Sequence, residues 1–78
     1  MPRLPVVTAS EAVRVFKQVG FLVDRTKGSH HQMKKPGHRY VLTIPNHGNS
    51  AIKAGTLRQL IRASGMTVEE FIERLQEI

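Results

Sequence analysis

Four histidines is a high number for a chain of 78 residues, and three of them, His30, His31 and His38, fall within nine residues, with His47 following. Imidazoles at that density suggest metal binding or proton transfer. Metal binding fits poorly, because His30 and His31 are adjacent and on a strand would point to opposite faces. The chain has no cysteine, and no nearby group of carboxylates completes a tetrahedral shell. No metal and no other cofactor is expected. Taken alone, His38 in a turn and His47 in a loop read as solvated polar residues. His30 differs in its setting. Strand alternation puts it on one side with Gln32 and Lys34, opposite Ser29, His31 and Met33, and Lys27 and Lys35 are close in sequence. A neutral imidazole can take a proton near neutrality. In RNA its target would be a ribose 2′-OH, whose oxygen then attacks the adjacent phosphorus to give a cyclic phosphate without a metal. Lys and Arg nearby would stabilise charge on the phosphoryl oxygens. The plainer alternative is an exposed histidine that only contacts phosphate.

The elements that must position these residues are legible in outline. Thr8-Ala-Ser-Glu11 is a capping box. Val13, Phe16 and Val19, joined by Ala9 or Ala12, then keep helical spacing up to Gly20, which predicts a helix over about 9–19. From Phe21 the period changes. Two strands are predicted to meet near Gly28, where a bulge or tight turn uses the glycine. Pro36-Gly37 marks a turn, and Arg39-Tyr-Val-Leu-Thr-Ile-Pro45 reads as the clearest strand, ended by a proline that cannot donate to the ladder. Leu57, Leu60 and Ile61 recur at helical spacing after Gly55-Thr56, and Gly65 ends that helix. Thr67-Val-Glu-Glu70 is a second capping box, followed by an apolar stripe of Val68, Phe71, Ile72 and Leu75. Phe16, Phe21 and Phe71 are assigned to the core. The order helix, three antiparallel strands, helix and terminal helix, with the helices on one face of the sheet, defines an α+β two-layer sandwich.

Charge narrows the partners. Residues 1–65 carry eleven Lys and Arg against Glu11 and Asp24, a balance of +9. The last thirteen residues carry four glutamates against Arg74, a balance of −3. Arg25, Lys27, Lys34, Lys35 and Arg39 fall within fifteen residues without an intervening acid. A polyanion is the natural partner, since each neutralised phosphate releases condensed counterions. The backbone N–H groups at Gly55-Thr56, flanked by Lys53 and Arg58, also suit a phosphate, although a plain helix start explains them equally well. No apolar run approaches the roughly 18 residues that span a bilayer, and the N-terminal segment lacks the apolar stretch of a signal peptide. The reading is one domain over 1–78, cytoplasmic, with no membrane partner.

These residues also carry a resemblance. Lys27-Gly28-Ser29-His30-His31, Pro36-Gly37, Leu42-Thr43-Ile44-Pro45-x-His47, Lys53-Ala-Gly55-Thr56-Leu57-Arg58-x-Leu60-Ile61 and Ala63-Ser-Gly65-Met66-Thr-x-Glu-Glu70-Phe71 follow in order over roughly residues 8–75. Together they resemble the HicA (YcfA-like) family of mRNA interferase toxins. Five linked motifs are far more specific than a single Gly-Ser-His. Gln32 and Met33 stand where the family usually carries an aliphatic and then an aromatic residue, so this strand is more polar than the family's pattern.

The resemblance implies a double-stranded-RNA-binding-like α-β-β-β-α fold, here with a short extra C-terminal helix. It also implies a metal-independent endoribonuclease that cleaves mRNA and inhibits translation, and a HicB-type antitoxin protein as partner. The family's catalytic histidine falls on His30, and His47 corresponds to its Pro-x-His, structural or RNA-facing. With the basic cluster, the expected RNA-binding set is Lys27, Gly28, Ser29, Lys34, Lys35, Arg39, His47, Lys53, Thr56 and Arg58. His31, His47 or water is left to protonate the leaving group. A non-catalytic double-stranded-RNA-binding module or an inactivated toxin would share the fold, and an interaction domain would use the acidic terminal helix.

Overall fold

The computed structural model describes residues 3–45 and 50–78. Helix α1 (Ala9–Gln18) starts at the predicted capping box. The Glu11 N–H donates to Thr8 Oγ1 at 3.3 Å, and the Thr8 N–H donates to Glu11 Oε1 at 3.0 Å. Its buried stripe is Ala9, Ala12, Val15 and Phe16, with Val13 and Val19 only half-buried. Helix α2 (Ala54–Ser64) ends at Gly65, whose φ of +88° is the left-handed conformation a glycine adopts most easily. Helix α3 (Val68–Leu75) again begins with a reciprocal capping box, between Thr67 and Glu70.

Strands β1 (Leu22–Lys27), β2 (His30–Lys34) and β3 (Leu42–Pro45) form one antiparallel sheet in the order β1-β2-β3. Gly28, at φ +58°, and Ser29 make the two-residue turn between Lys27 and its register partner His30. The third strand begins later than its β-branched sequence predicts, at Leu42 instead of Arg39. His38 is the reason. Its ring lies edge-on to Phe21 at 5.1 Å and its Nε2 is 2.6 Å from the Ala63 carbonyl of α2. The chain is thereby held at the helical layer and joins the ladder only at Leu42.

The helices cover one face of the sheet, as the α+β sandwich requires, with α1 and α2 packed on β3 and α3 packed on α1. Phe16 is central, 6.2 Å from the Phe21 ring and 5.6 Å from that of Phe71. Val7, Val15, Met33, Leu42, Ile44, Leu57 and Ile61 close around them, all fully buried. Met33 thus fills the core position on β2, and the polar neighbour Gln32 is turned to the opposite face. The N-terminal segment is tied in by the Ile52 N–H, which donates to the Val7 carbonyl at 2.8 Å.

Candidate nucleic-acid interface

Among the described residues, the opposite face of the sheet carries no helix, and its side chains follow from the strand register. Three rows cross it. Lys27 pairs with His30 and His30 with Pro45; Arg25 pairs with Gln32 and Gln32 with Thr43; Leu22 pairs with Lys34. On β2, His31 and Met33 face the helices and His30, Gln32 and Lys34 face outward, as alternation predicts. On β1, strict alternation fails. One extra residue at Asp24 shifts the register between Val23 and Arg25. A bulge of one residue reverses which side chains face which side. Without it Thr26 would stand opposite His30. With it Arg25 and Lys27 share the open face with His30, and this one-residue irregularity assembles the candidate site.

His30 is exposed at the end of β2, next to the Gly28-Ser29 turn. At the same end of the sheet, its partner Pro45 forms a wall of a cleft of ≈ 420 Å³ with Ser50, Ala51, Ile52, Lys53 and Thr56. The start of α2 therefore lies beside the His30 row. Lys53 is its N-cap and no side chain caps it, so the orphan N–H groups of the first turn depend on water or a ligand. Lys27, Gly28, Ser29, His30, Lys53 and Thr56 are thus gathered at one end of the molecule. Lys34 shares the open face but lies at the far end of β2, where its Nζ is 3.3 Å from Asp24 Oδ2.

Three expected residues are elsewhere. Lys35 faces the helix side, with its ammonium 5.7 Å from the Phe21 ring centre and its stem against Gly20. Arg39 follows the Pro36-Gly37 turn, its guanidinium 5.7 Å from the Tyr40 ring centre. Arg58 lines a different cleft with Ile61, Arg62 and Met66. His47 lies outside the described residues.

The other histidines separate by role. His31 is half-buried on the helix side of the sheet, its Nδ1 hydrogen-bonded to Thr26 Oγ1 at 3.0 Å, so it does not share the face of His30. His38, read from sequence as a solvated turn residue, is a structural clasp between the β2–β3 connection and α2. Because a carbonyl only accepts, His38 Nε2 carries the proton it donates to Ala63. Arg25, Gln32 and Thr43 were not singled out as site residues from sequence, and the open face adds them. For Arg25 the missing signal was the bulge, which a pattern of alternation does not reveal. Among the described residues, no group of three or more His, Cys, Asp or Glu is placed to hold a metal ion. Among the described residues, no helix is long and apolar enough to cross a membrane.

The fold is an α-β-β-β-α core with a terminal helix and a basic, histidine-bearing open sheet face. Residues 9–66 match the family described as HicA toxin of bacterial toxin–antitoxin, and with most of its length in that match the chain belongs to this family of toxins. A toxin of such a pair has an antitoxin as its partner. No curated protein matches the chain.

Proposed function

We propose that residues 1–78 form one toxin domain acting as an mRNA interferase, a metal-independent endoribonuclease in the cytoplasm that cleaves mRNA and so inhibits translation. The observation that carries this reading is the register pair Lys27–His30 on the open sheet face, which sets an imidazole beside an ammonium group.

In the proposed reaction His30 takes the proton of a ribose 2′-OH. The freed oxygen attacks the adjacent phosphorus, the bond to the 5′-oxygen breaks, and a 2′,3′-cyclic phosphate and a 5′-hydroxyl result. Lys27, with Arg25 in the next row, stabilises the charge on the phosphoryl oxygens. Ser29 and the Gly28 turn support the base. Lys53 and Thr56, at the uncapped start of α2, hold a neighbouring phosphate. Lys34 extends the basic surface along the open face, whereas Lys35, Arg39 and Arg58 lie off it. The 5′-oxygen needs a proton as it leaves. His31 faces the other side of the sheet, which leaves His47, water or the imidazolium of His30 itself to supply it. Neutralisation is proposed to come from a HicB-type antitoxin that covers the His30 face.

The test is digestion of RNA with chelator present, wild type beside His30→Ala, with both proteins checked for folding and RNA binding. Cleavage by the wild type alone supports the reading. Equal binding with cleavage by neither replaces it with a docking module.

A further inference from the structure

Strand β1 is the least covered part of the fold. All six of its residues are exposed, and among the described residues its neighbour in the sheet is β2 alone. Helices α1 and α2 pack on β3, two strands away, or roughly 10 Å at the usual interstrand spacing. The helical layer therefore stops short of β1. Apolar side chains are open on both of its faces: Leu22 is 63% exposed on the sheet's open side and Val23 is 38% exposed on the helix side. Leu22, Val23 and Asp24 border a shallow cleft of ≈ 430 Å³ closed by Lys34, Lys35 and Pro36. A strand edge of this length presents a row of backbone N–H and C=O groups that another chain can extend. The bulge at Asp24 blunts only its first half.

Charge selects the occupant. The open-face side chains on β1 beyond the bulge are Arg25 and Lys27, and one strand further in stand His30 and Lys34. Asp24, the strand's single acid, is engaged with Lys34. A second copy of the chain would bring the same two cations to the edge, and like charges facing each other across paired strands are destabilising. An extended segment with carboxylates opposite Arg25 and Lys27 and an apolar side chain for the cleft complements the edge on both counts.

We infer that the outer edge of β1 receives an extended acidic and apolar segment of the antitoxin, which adds a fourth strand to the sheet. The added strand lies one interstrand spacing from Lys27 and two, roughly 10 Å, from His30. It flanks the candidate site, and RNA crossing the open face toward His30 from that side meets it first. The inference rests on the chain being a toxin held by a protein antitoxin, and it does not require His30 to be catalytic.

The experiment is amide hydrogen exchange on the free toxin and on the purified complex with its antitoxin. Alternate amides within residues 22–27, those pointing away from β2, should slow by about tenfold or more in the complex, while amides of α2 change less. A stable complex in which every β1 amide exchanges as in the free toxin overturns the inference. So does protection of β1 in the isolated toxin that grows with its concentration, which assigns the edge to a second copy. Failure to form any complex removes the toxin–antitoxin reading beneath it, and loss of the ribonuclease reading alone leaves the β1 result standing.

Discussion

Replacing His38 with alanine separates its structural role from the chemistry expected of the histidine-rich segment. The two shortest contacts of the ring, in a half-buried setting, are the Nε2–H donated to Ala63 O at 2.6 Å and the edge-on packing against Phe21 at 5.1 Å. A hydrogen bond of this kind contributes about 1 kcal/mol net, and an aromatic pair about 0.5–1.5 kcal/mol beyond area burial. Their loss together costs about 2 kcal/mol. For a domain of this size that lowers the thermal midpoint by about 8–16 °C. The fraction is large, since a chain of 78 residues has only about 4–12 kcal/mol of stability in all. Thermal and urea unfolding of the two proteins measure the change, and His38→Phe, which keeps a ring on Phe21 but loses the donor, should fall between them. Below its own midpoint His38→Ala should cleave RNA as the wild type does, because the clasp lies at the end of β2 remote from His30. A midpoint shift below about 2 °C would refute the structural reading and return His38 to solvent. Loss of cleavage by a folded His38→Ala protein would refute the division of roles among the histidines.

Four further outcomes follow from the same contacts. Phe16→Ala, which empties the centre of the aromatic cluster, should cost about 3–5 kcal/mol and leave little cooperative unfolding; a normal, sharp transition in calorimetry would contradict that packing. Gly28→Val should destabilise by at least about 1 kcal/mol, because a β-branched residue resists the positive φ although space for its side chain is open; Gly28→Asn should be milder, and equal urea midpoints for the two would argue against the turn geometry. Lys27→Ala should weaken RNA binding across sequences and reduce the slope of log affinity against log salt by about 1, read by titration at several salt concentrations; an unchanged slope would remove Lys27 from the phosphate path. Thr8→Ala should cost about 1 kcal/mol through the lost cap of α1, visible in the same unfolding experiments.

Local signals in the sequence were faithful where the chemistry is local. Both capping boxes, the glycine that closes α2, the turn at Gly28 and the three core phenylalanines depend on residues within a few positions of one another, or on bulk apolarity, and all are found as expected. The late start of β3 was hidden because it depends on His38 reaching a carbonyl 25 residues away. The bulge at Asp24 was hidden too, since the register of β1 is decided by its partner strand and not by its own pattern. That irregularity mattered most for the candidate site, where it turns Lys27 and Arg25 to the face of His30. The cationic cluster that looked continuous over residues 25–39 is divided by the fold. Arg25, Lys27 and Lys34 stay on the open face, Lys35 is turned to Phe21, and Arg39 sits over Tyr40. Sequence proximity reports shared strands, but the pleat sends neighbours to opposite sides.

The most direct measurement is the digestion of a defined RNA by wild type and His30→Ala toxin with chelator present, the ends of the products being identified. The account predicts cleavage by the wild type that leaves 2′,3′-cyclic phosphate and 5′-hydroxyl ends, and none by a folded, RNA-binding His30→Ala protein. Cleavage by both proteins alike, or by neither while both still bind RNA, would contradict it.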